Sequence, residues 1–438
     1  MQRVFVPVLA FCLMLYLTAC GLLGDGVSGT AVTATATPTP TPTPSPAITP
    51  DVAISSSISQ TQNTLTVWIP PDIWDASEAG RATLNAQLDN YRASHPELEI
   101  LIEPKAVTGQ GSILNYLRTG RTLAPDILPD LIALPTDQLA QATADGLIFP
   151  LNDYIDPVHL DDVYPAGLQL VTRAGQTSGY PFVLSQPPHL AYDSAVFTAT
   201  IPLTWTQWLA LPRERFVFPA AGTPGATLLL QLYLDNGGQL TNEAGHVELQ
   251  AEPLTAALQQ IADGRKNGFI LPQSSNLLTL DESWQLFQSG QATFVQTSDS
   301  QFLRQRNGEQ PINAAAIPGQ AQPLPPLVTG WAWAISALDS SKRPLAADML
   351  TFLVENKNLG EWSYQSQQLP ARPGAFLYWP EDDPYVPFIS NQLSQAAAHP
   401  FTPDHPVMMA LGDAVFDVVS LAKSPQEAAE QAIVSLQQ

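Results

Sequence analysis

Three short apolar runs constrain this chain most: Leu65-Thr66-Val67-Trp68-Ile69, Leu98 to Ile102, and Asp130-Leu131-Ile132-Ala133-Leu134. Their length and β-branched content read as buried strands. Helical patterns separate them. Leu84, Leu88 and Tyr91 fall at i, i+4 and i+7, the stripe of a core-facing helix. Asp75-Ala76-Ser77-Glu78 before it reads as a cap with its reciprocal glutamate. Ser112 to Leu117 begins a second helix. Strand-helix-strand-helix-strand order requires right-handed crossovers and predicts an α/β fold with a largely parallel sheet. Gly109-Gln110-Gly111-Ser112 lacks the third glycine of a dinucleotide fingerprint and reads as a loop feeding a helix. Further helix stripes follow at Leu254, Leu258 and Ile261, and at Leu345, Met349, Phe352 and Leu353 after Arg343-Pro344. Beyond Pro384 the pattern is largely helical, ending in a capping box at Ser424-Pro425-Gln426-Glu427.

The first residues carry a different signal. Arg3 precedes an apolar stretch from Val4 to Leu17, and Leu17-Thr18-Ala19-Cys20 closes it. This resembles a bacterial lipobox, which implies a signal peptide over 1–19 and a lipidated Cys20. As an uncleaved anchor the run falls short of the ~20 residues a spanning helix needs. Residues 20–61 hold the Thr-Pro run from Thr37 to Pro46, whose alternate prolines favour extended polyproline geometry. This is expected to be a lipid-anchored stalk, with O-glycosylation left open. Cys12 and Cys20 are the only cysteines. With one removed and the other lipidated, no disulfide forms. The chain has 18 Lys plus Arg against 40 Asp plus Glu, an imbalance that excludes nucleic acid as a natural partner and leaves the lipid as the membrane contact.

From Leu65 onward the motifs resemble the maltose-binding-protein-like class of extracellular solute-binding proteins. The resemblance rests on Leu65-Thr66-Val67-Trp68, Pro129-Asp130-Leu131-Ile132 and Asp145 to Leu151, then Gly179-Tyr180-Pro181 with Ala191-Tyr192-Asp193. It continues through Pro202-Leu203-Thr204-Trp205, Phe287 to Ala292, Gly330 to Ser336 and Leu369-Pro370-Ala371-Arg372. It covers nearly all of residues 62–438. It implies two lobes with a hinge and an interlobe cleft: 62–184 and 330–368 in lobe 1, 185–329 and 369–438 in lobe 2. Three crossings are implied, with Ser185-Gln186-Pro187-Pro188 at the hinge, then Val328 to Trp331 and Gln368 to Ala371. The function implied is capture of a solute for an ABC transporter permease, by a monomer at the outer face of the cytoplasmic membrane or in the periplasm.

Enzyme signatures are missing. The six histidines are scattered, without metal-ligand spacing, and no Gly-x-Ser-x-Gly elbow or phosphate loop occurs. No cofactor or metal is expected. Asp161-Asp162 and Glu381-Asp382-Asp383 read as solvated surface, and His399 and His405 as loop residues next to proline. Nine tryptophans are the more informative class, since an indole covers the apolar face of a sugar ring while carboxylates and amides take its hydroxyls.

The resemblance places ligand contacts at Asp72 with Trp74, Asp137, Ser185 with Gln186, Thr297-Ser298-Asp299, and Trp331 with Trp333. Each has a structural alternative: a cap for Asp72 or Asp137, a helix staple for Trp74, hinge backbone for Ser185 and Gln186, a turn for Thr297 to Asp299. Trp331 and Trp333 share a strand face that meets either the cleft or the core, with Trp331 nearer the crossing and the better candidate. Trp68 reads as core, Trp205 and Trp208 as packing a helix start, and Trp284 as an amphipathic-helix residue. Maltose-type members place an aromatic residue where this chain has Leu134 and an acid where it has Ser185. These departures point away from maltodextrin itself while leaving carbohydrate or a similar polar solute. A sensor or adhesin on the same fold, and a secreted polysaccharide hydrolase, are the rival readings.

Overall fold

Leu65, Val67 and Ile69 point to one side of the first strand and Trp68 to the other, and all four are buried. A strand apolar on both faces must be covered twice. It is, by two separate clusters of core side chains. The computed structural model describes residues 64–306, 308 and 310–437. The signal stretch, Cys20 and the whole stalk over 20–61 lie outside the described residues.

The strands are β1 (Thr64–Ile69), β2 (Glu99–Pro104), β3 (Leu131–Pro135), β4 (Tyr180–Ser185) and β5 (His189–Asp193). Then come β6 (Phe216–Val217), β7 (Phe294–Thr297), β8 (Ile312–Ala315), β9 (Leu327–Ile335) and β10 (Leu369–Pro370). One sheet has seven strands in the order β10-β4-β9-β3-β1-β2, with Ala397–Ala398 pairing β9 off that path. The second has four, β8-β5-β7-β6. The chain is an α/β protein built on these two sheets, with a two-stranded ribbon, Thr172–Arg173 against Gln176–Thr177, beside them.

The first three strands are parallel, as their crossovers require. The sheet as a whole is mixed, which corrects the expectation of a largely parallel one. Strand β9 runs antiparallel to both β3 and β4, and β10 antiparallel to β4. The reason is connectivity: β9 follows β8 of the second sheet and enters the first without a strand-to-strand crossover helix.

Pro129-Asp130-Leu131-Ile132 now has a physical explanation. The buried Asp130 carboxylate accepts the Thr66 N–H at 2.9 Å and the Lys342 ammonium at 3.3 Å. Its backbone carbonyl accepts from Ser336 and Ala337. One residue therefore ties β1, β3 and the end of β9. Burial lifts its carboxyl above the ordinary aspartate range, against the opposing pull of the Thr66 N–H and Lys342.

The helix stripes are where the spacing predicts them. Leu84, Leu88 and Tyr91 are buried in the helix Glu78–Ser94, and Leu254, Leu258 and Ile261 in Ala251–Lys266. The start of the first helix differs. Ser77 is its cap, accepting from the Gly80 N–H, whereas Asp75 closes the short helix Pro71–Trp74 and pairs with Arg81. A serine placed where the backbone turns extended outcompetes the aspartate two residues earlier. The capping box at Ser424 and Glu427 forms in full. The helix Thr223–Asp235 is buried at every position from Gly225 to Tyr233, because second-sheet residues and the C-terminal helices enclose it.

Two acidic runs are corrected. Asp383 has 6% side-chain exposure and holds Arg306 at 2.7 Å, and Asp162 accepts from Asn356 while lying 3.5 Å from Arg372. Both are structural ion pairs. Glu381, Asp382 and Asp161 stay exposed.

Gly330 sits where β9 crosses β4, and a Cβ there would lie 2.3 Å from the Val183 carbonyl oxygen. Backbone on that side has no soft end to give way. Gly330→Ala is expected to destabilise the fold by about 1–3 kcal/mol, the usual range for overpacking, read as a lower denaturant midpoint. An unchanged midpoint would show that β4 and β9 are not packed this closely.

Candidate functional site

Strands β4, β9 and β10 lie side by side. Thr329 is opposite Ser185, and Leu369 is opposite Leu184. The three segments expected as crossings are thus neighbours in one ladder. Immediately after β4, Gln186 takes a left-handed backbone (φ 62°), and Pro187-Pro188 lead into β5 of the other sheet.

A cavity of about 480 Å³ opens beside this turn. Its walls come from Gln186 and Pro188, the starts of the helices Thr223–Asp235 and Leu280–Gln288, the end of β7 with the helix Asp299–Gln305, β9 at Thr329, and the loop at His399 to Pro403. The size suits a small ligand. Its lining surface is more apolar than polar, with Leu278, Leu280, Leu327 and Phe401 set beside hydroxyl and amide groups, and with Asp281 and Arg304 as its charged side chains.

Its polar groups are organised. Gln301 Nε2 donates to Asp281 Oδ1 at 2.9 Å, and Thr297 Oγ1 donates to Gln301 Oε1 at 3.1 Å. Gln296 Nε2 donates to the Pro224 carbonyl, while its Oε1 is buried with no partner among the described residues. Burial lowers the pKa of His399, and its Nδ1 accepts the Phe401 N–H. Its imidazole is therefore neutral near pH 7. Such a set offers oriented donors and acceptors with little net charge, which suits a neutral polyhydroxylated molecule.

Of the expected contacts, Gln186, Thr297 and Ser298 line this cavity. Ser185 sits at the end of β4 beside it. Asp299 is 1% exposed and lies behind the wall, where its Oδ1 accepts the Gln186 N–H at 3.0 Å. Burial raises its carboxyl to about 6. Asp72 is exposed on the short helix Pro71–Trp74, and Trp74 is half-buried against the first-sheet core. Asp137 is exposed at the end of β3. Its carboxyl is raised, first by partial loss of water around it and then by the Asp404 charge. The loop carrying Pro403 of the cavity wall therefore comes near it. Trp331 is half-buried on β9.

Trp333 belongs to the core. It is 3% exposed and stacks on Phe182 with ring centroids 5.0 Å apart. The resemblance places it with Trp331 among the contacts, on a face open to either cleft or core; from Trp333 inward that face is covered by the helices Arg343–Leu353 and Asn356–Ser366. Trp68, Trp205, Trp208 and Trp284 are buried as expected.

Asp281, Gln296, Gln301, Arg304 and His399 were not among the sequence candidates. A signal existed for some: Thr279 and Glu282 form a capping box that marks a helix start next to Asp281, and Ser300, Gln301 and Arg304 share one face of a short helix. Nothing in the sequence points His399 at the same space.

Among the described residues, no group of three or more His, Cys, Asp or Glu could hold a metal ion, and no helix is long and apolar enough to cross a membrane.

The profile of a family described as bacterial extracellular solute-binding protein matches residues 91–387. A maltose-bound protein of T. maritima superimposes with a TM-score of 0.62 at 17% identity, covering 85% of this chain and 99% of that one. The cyclic alpha-maltosyl-1,6-maltose binding protein of Arthrobacter globiformis gives 0.69 at 20% identity, covering 85% and 97%. The maltose-binding periplasmic protein of Listeria monocytogenes gives 0.68 at 15%, covering 86% and 97%. At these identities the likeness is one of fold. No curated protein sequence matches the chain.

The placement of Trp333 has a direct consequence. Trp333→Ala is expected to cost about 3–5 kcal/mol of stability, as large-to-small core changes do, measured by chemical denaturation. A variant of unaltered stability would put the ring outside the core.

Proposed function

The chain belongs to the bacterial extracellular solute-binding protein family, and from that premise we propose that it captures a carbohydrate or similar polar solute between two lobes and delivers it to an ABC transporter permease. The lobes are those drawn above, 62–184 with 330–368 and 185–329 with 369–438. The observation that carries this reading is the cavity beside the Gln186 turn, whose hydroxyl and amide groups are set among apolar side chains. Solved relatives of the same fold are named for maltose or for a cyclic maltosyl sugar, which supports the ligand class.

Ligand entering the cavity would meet Gln186, Thr297, Ser298 and Gln301 first. Closure of the lobes would then bring Asp72, Trp74, Asp137 and Trp331 toward it. A ligand that binds the closed form more tightly shifts the population toward it. Family membership and the lack of catalytic spacing favour binding over hydrolysis, with ATP hydrolysed by a separate subunit. Lipid on Cys20 would keep the chain at the outer face of the membrane, with the Thr/Pro-rich stalk as spacer.

The test is thermal unfolding against mono- and oligosaccharides, polyols and amino acids. A ligand held only by the folded state adds about 2.7 kcal/mol at a hundredfold excess over its dissociation constant. One sugar class is expected to raise the midpoint, and Gln301→Ala to shrink that rise. A flat response across the panel would sink the capture reading in favour of a sensor or adhesin. Anchoring is checked separately: Cys20→Ser should release the chain from the membrane fraction of its host, and unchanged sedimentation would argue against the lipid.

A further inference from the structure

We infer that Asp299 is a positioning residue, whose buried carboxylate holds the Gln186 turn in the conformation that completes the cavity wall and so sets ligand affinity without touching ligand. This rests on the capture reading for its functional consequence, though not for its structural one.

A non-glycine residue at φ 62° is in a region that L side chains visit at a cost. Something must hold Gln186 there. Asp299 Oδ1 does so through the 3.0 Å bond from the Gln186 N–H, with the Ser300 and Asp299 N–H groups also turned to the carboxylate. The turn is held a second time by His189, whose Nδ1 donates to the Pro187 carbonyl at 2.9 Å. Burial pushes His189 down to about 4, so the ring is neutral and this bond fixes its proton on Nδ1. Gln186 and Pro188 face the cavity on one side of this arrangement. From the helix that Asp299 begins, Ser300, Gln301 and Arg304 face the same cavity. Asp299 therefore joins two walls that come from different parts of the chain.

The groups around the carboxylate are few. Arg304 on its own helix lowers its pKa, and burial raises it to about 6. Tyr385, from the helix Tyr385–Gln395, has its phenol pushed well above the ordinary value by burial and by the Asp299 charge, and so stays neutral. Arg306 is held by Asp383. His189, packed on Tyr385, is neutral. Asp299 is then the group in this cluster that changes charge near pH 6. Above that pH the carboxylate makes a charge-assisted bond to Gln186, and below it the weaker neutral one.

Two pH dependences of opposite sign follow. Affinity should fall as pH drops through about 6, as the Gln186 tie weakens. Fold stability from this group should run the other way. A carboxyl raised in the folded state binds its proton more tightly there than when unfolded. Its ionisation therefore removes stability as pH rises from the ordinary aspartate range through about 6. General acid unfolding would move both readouts together.

The deciding experiment follows the Gln186 amide resonance of the full chain by NMR against pH, with maltotetraose affinity measured in parallel. In the wild type the amide should titrate with a midpoint near 6. In Asp299→Asn, which keeps a neutral acceptor oxygen, the titration should vanish and affinity should lose its pH step, staying at every pH close to that of the wild type at low pH. Asp299→Ala should exchange the Gln186 amide about tenfold faster and bind about tenfold more weakly, as loss of a charge-assisted bond implies. A wild-type amide that does not titrate, or an Asp299→Asn protein that keeps the pH step, overturns the assignment. Failure of maltotetraose to bind the wild type counts against a maltodextrin ligand alone, in line with the departures at Leu134 and Ser185, and the Gln186 amide, which needs no ligand, then decides the assignment.

Discussion

Strand β9 is hydrogen-bonded between β3 and β4, and the rest of the molecule is arranged around that insertion. It begins near the second sheet, passes the cavity at Thr329, and ends at Ala334 and Ile335 in the core of the first sheet. Asp130 ties its far end to β1 and β3 through the backbone of Ser336 and Ala337. The strand is long enough to serve two environments, with glycine at the tightest approach and tryptophans on either side of a register shift. Because the core end is fixed, the cavity end is placed by covalent geometry.

The same logic explains why Gln186 and the helix Asp299–Gln305 belong together. Strand β4 carries the chain to the edge of the first sheet and β5 begins the second. Between them are only Gln186, Pro187 and Pro188. Two prolines remove two backbone donors, which leaves the Gln186 N–H as the donor in the turn before β5. That donor points into protein, so a buried acceptor is needed to avoid an unsatisfied group. Asp299 supplies it.

Most of the architecture was legible from periodicity, because buried strands and amphipathic helices write their faces directly into sequence. Leu84, Leu88 and Tyr91, or Leu254, Leu258 and Ile261, could be assigned without a partner in view. Sheet direction was less legible: β9 joins the first sheet from the second, and a local pattern does not reveal where a strand arrives from. The site was legible only in part. Gln186, Thr297 and Ser298 follow from motif order, but His399 and Arg304 reach the cavity through tertiary packing. Trp333 shows the opposite failure. Its alternation with Trp331 was read correctly as a shared face, but sequence alone cannot say how far along a strand that face stays open.

Three adjacent strands, β10, β4 and β9, form one hydrogen-bonded ladder at the segments expected to join the lobes. Strands held in one hydrogen-bonded ladder behave as a ribbon. Sliding or splaying them within the plane would break ladder bonds, whereas flexing perpendicular to that plane leaves every bond in place. A joint of this kind acts as a leaf spring with a single soft direction. On the capture reading proposed above, motion of the lobes would be confined to one angular coordinate, and a small molecule seated beside the ribbon would bias it without having to suppress any other.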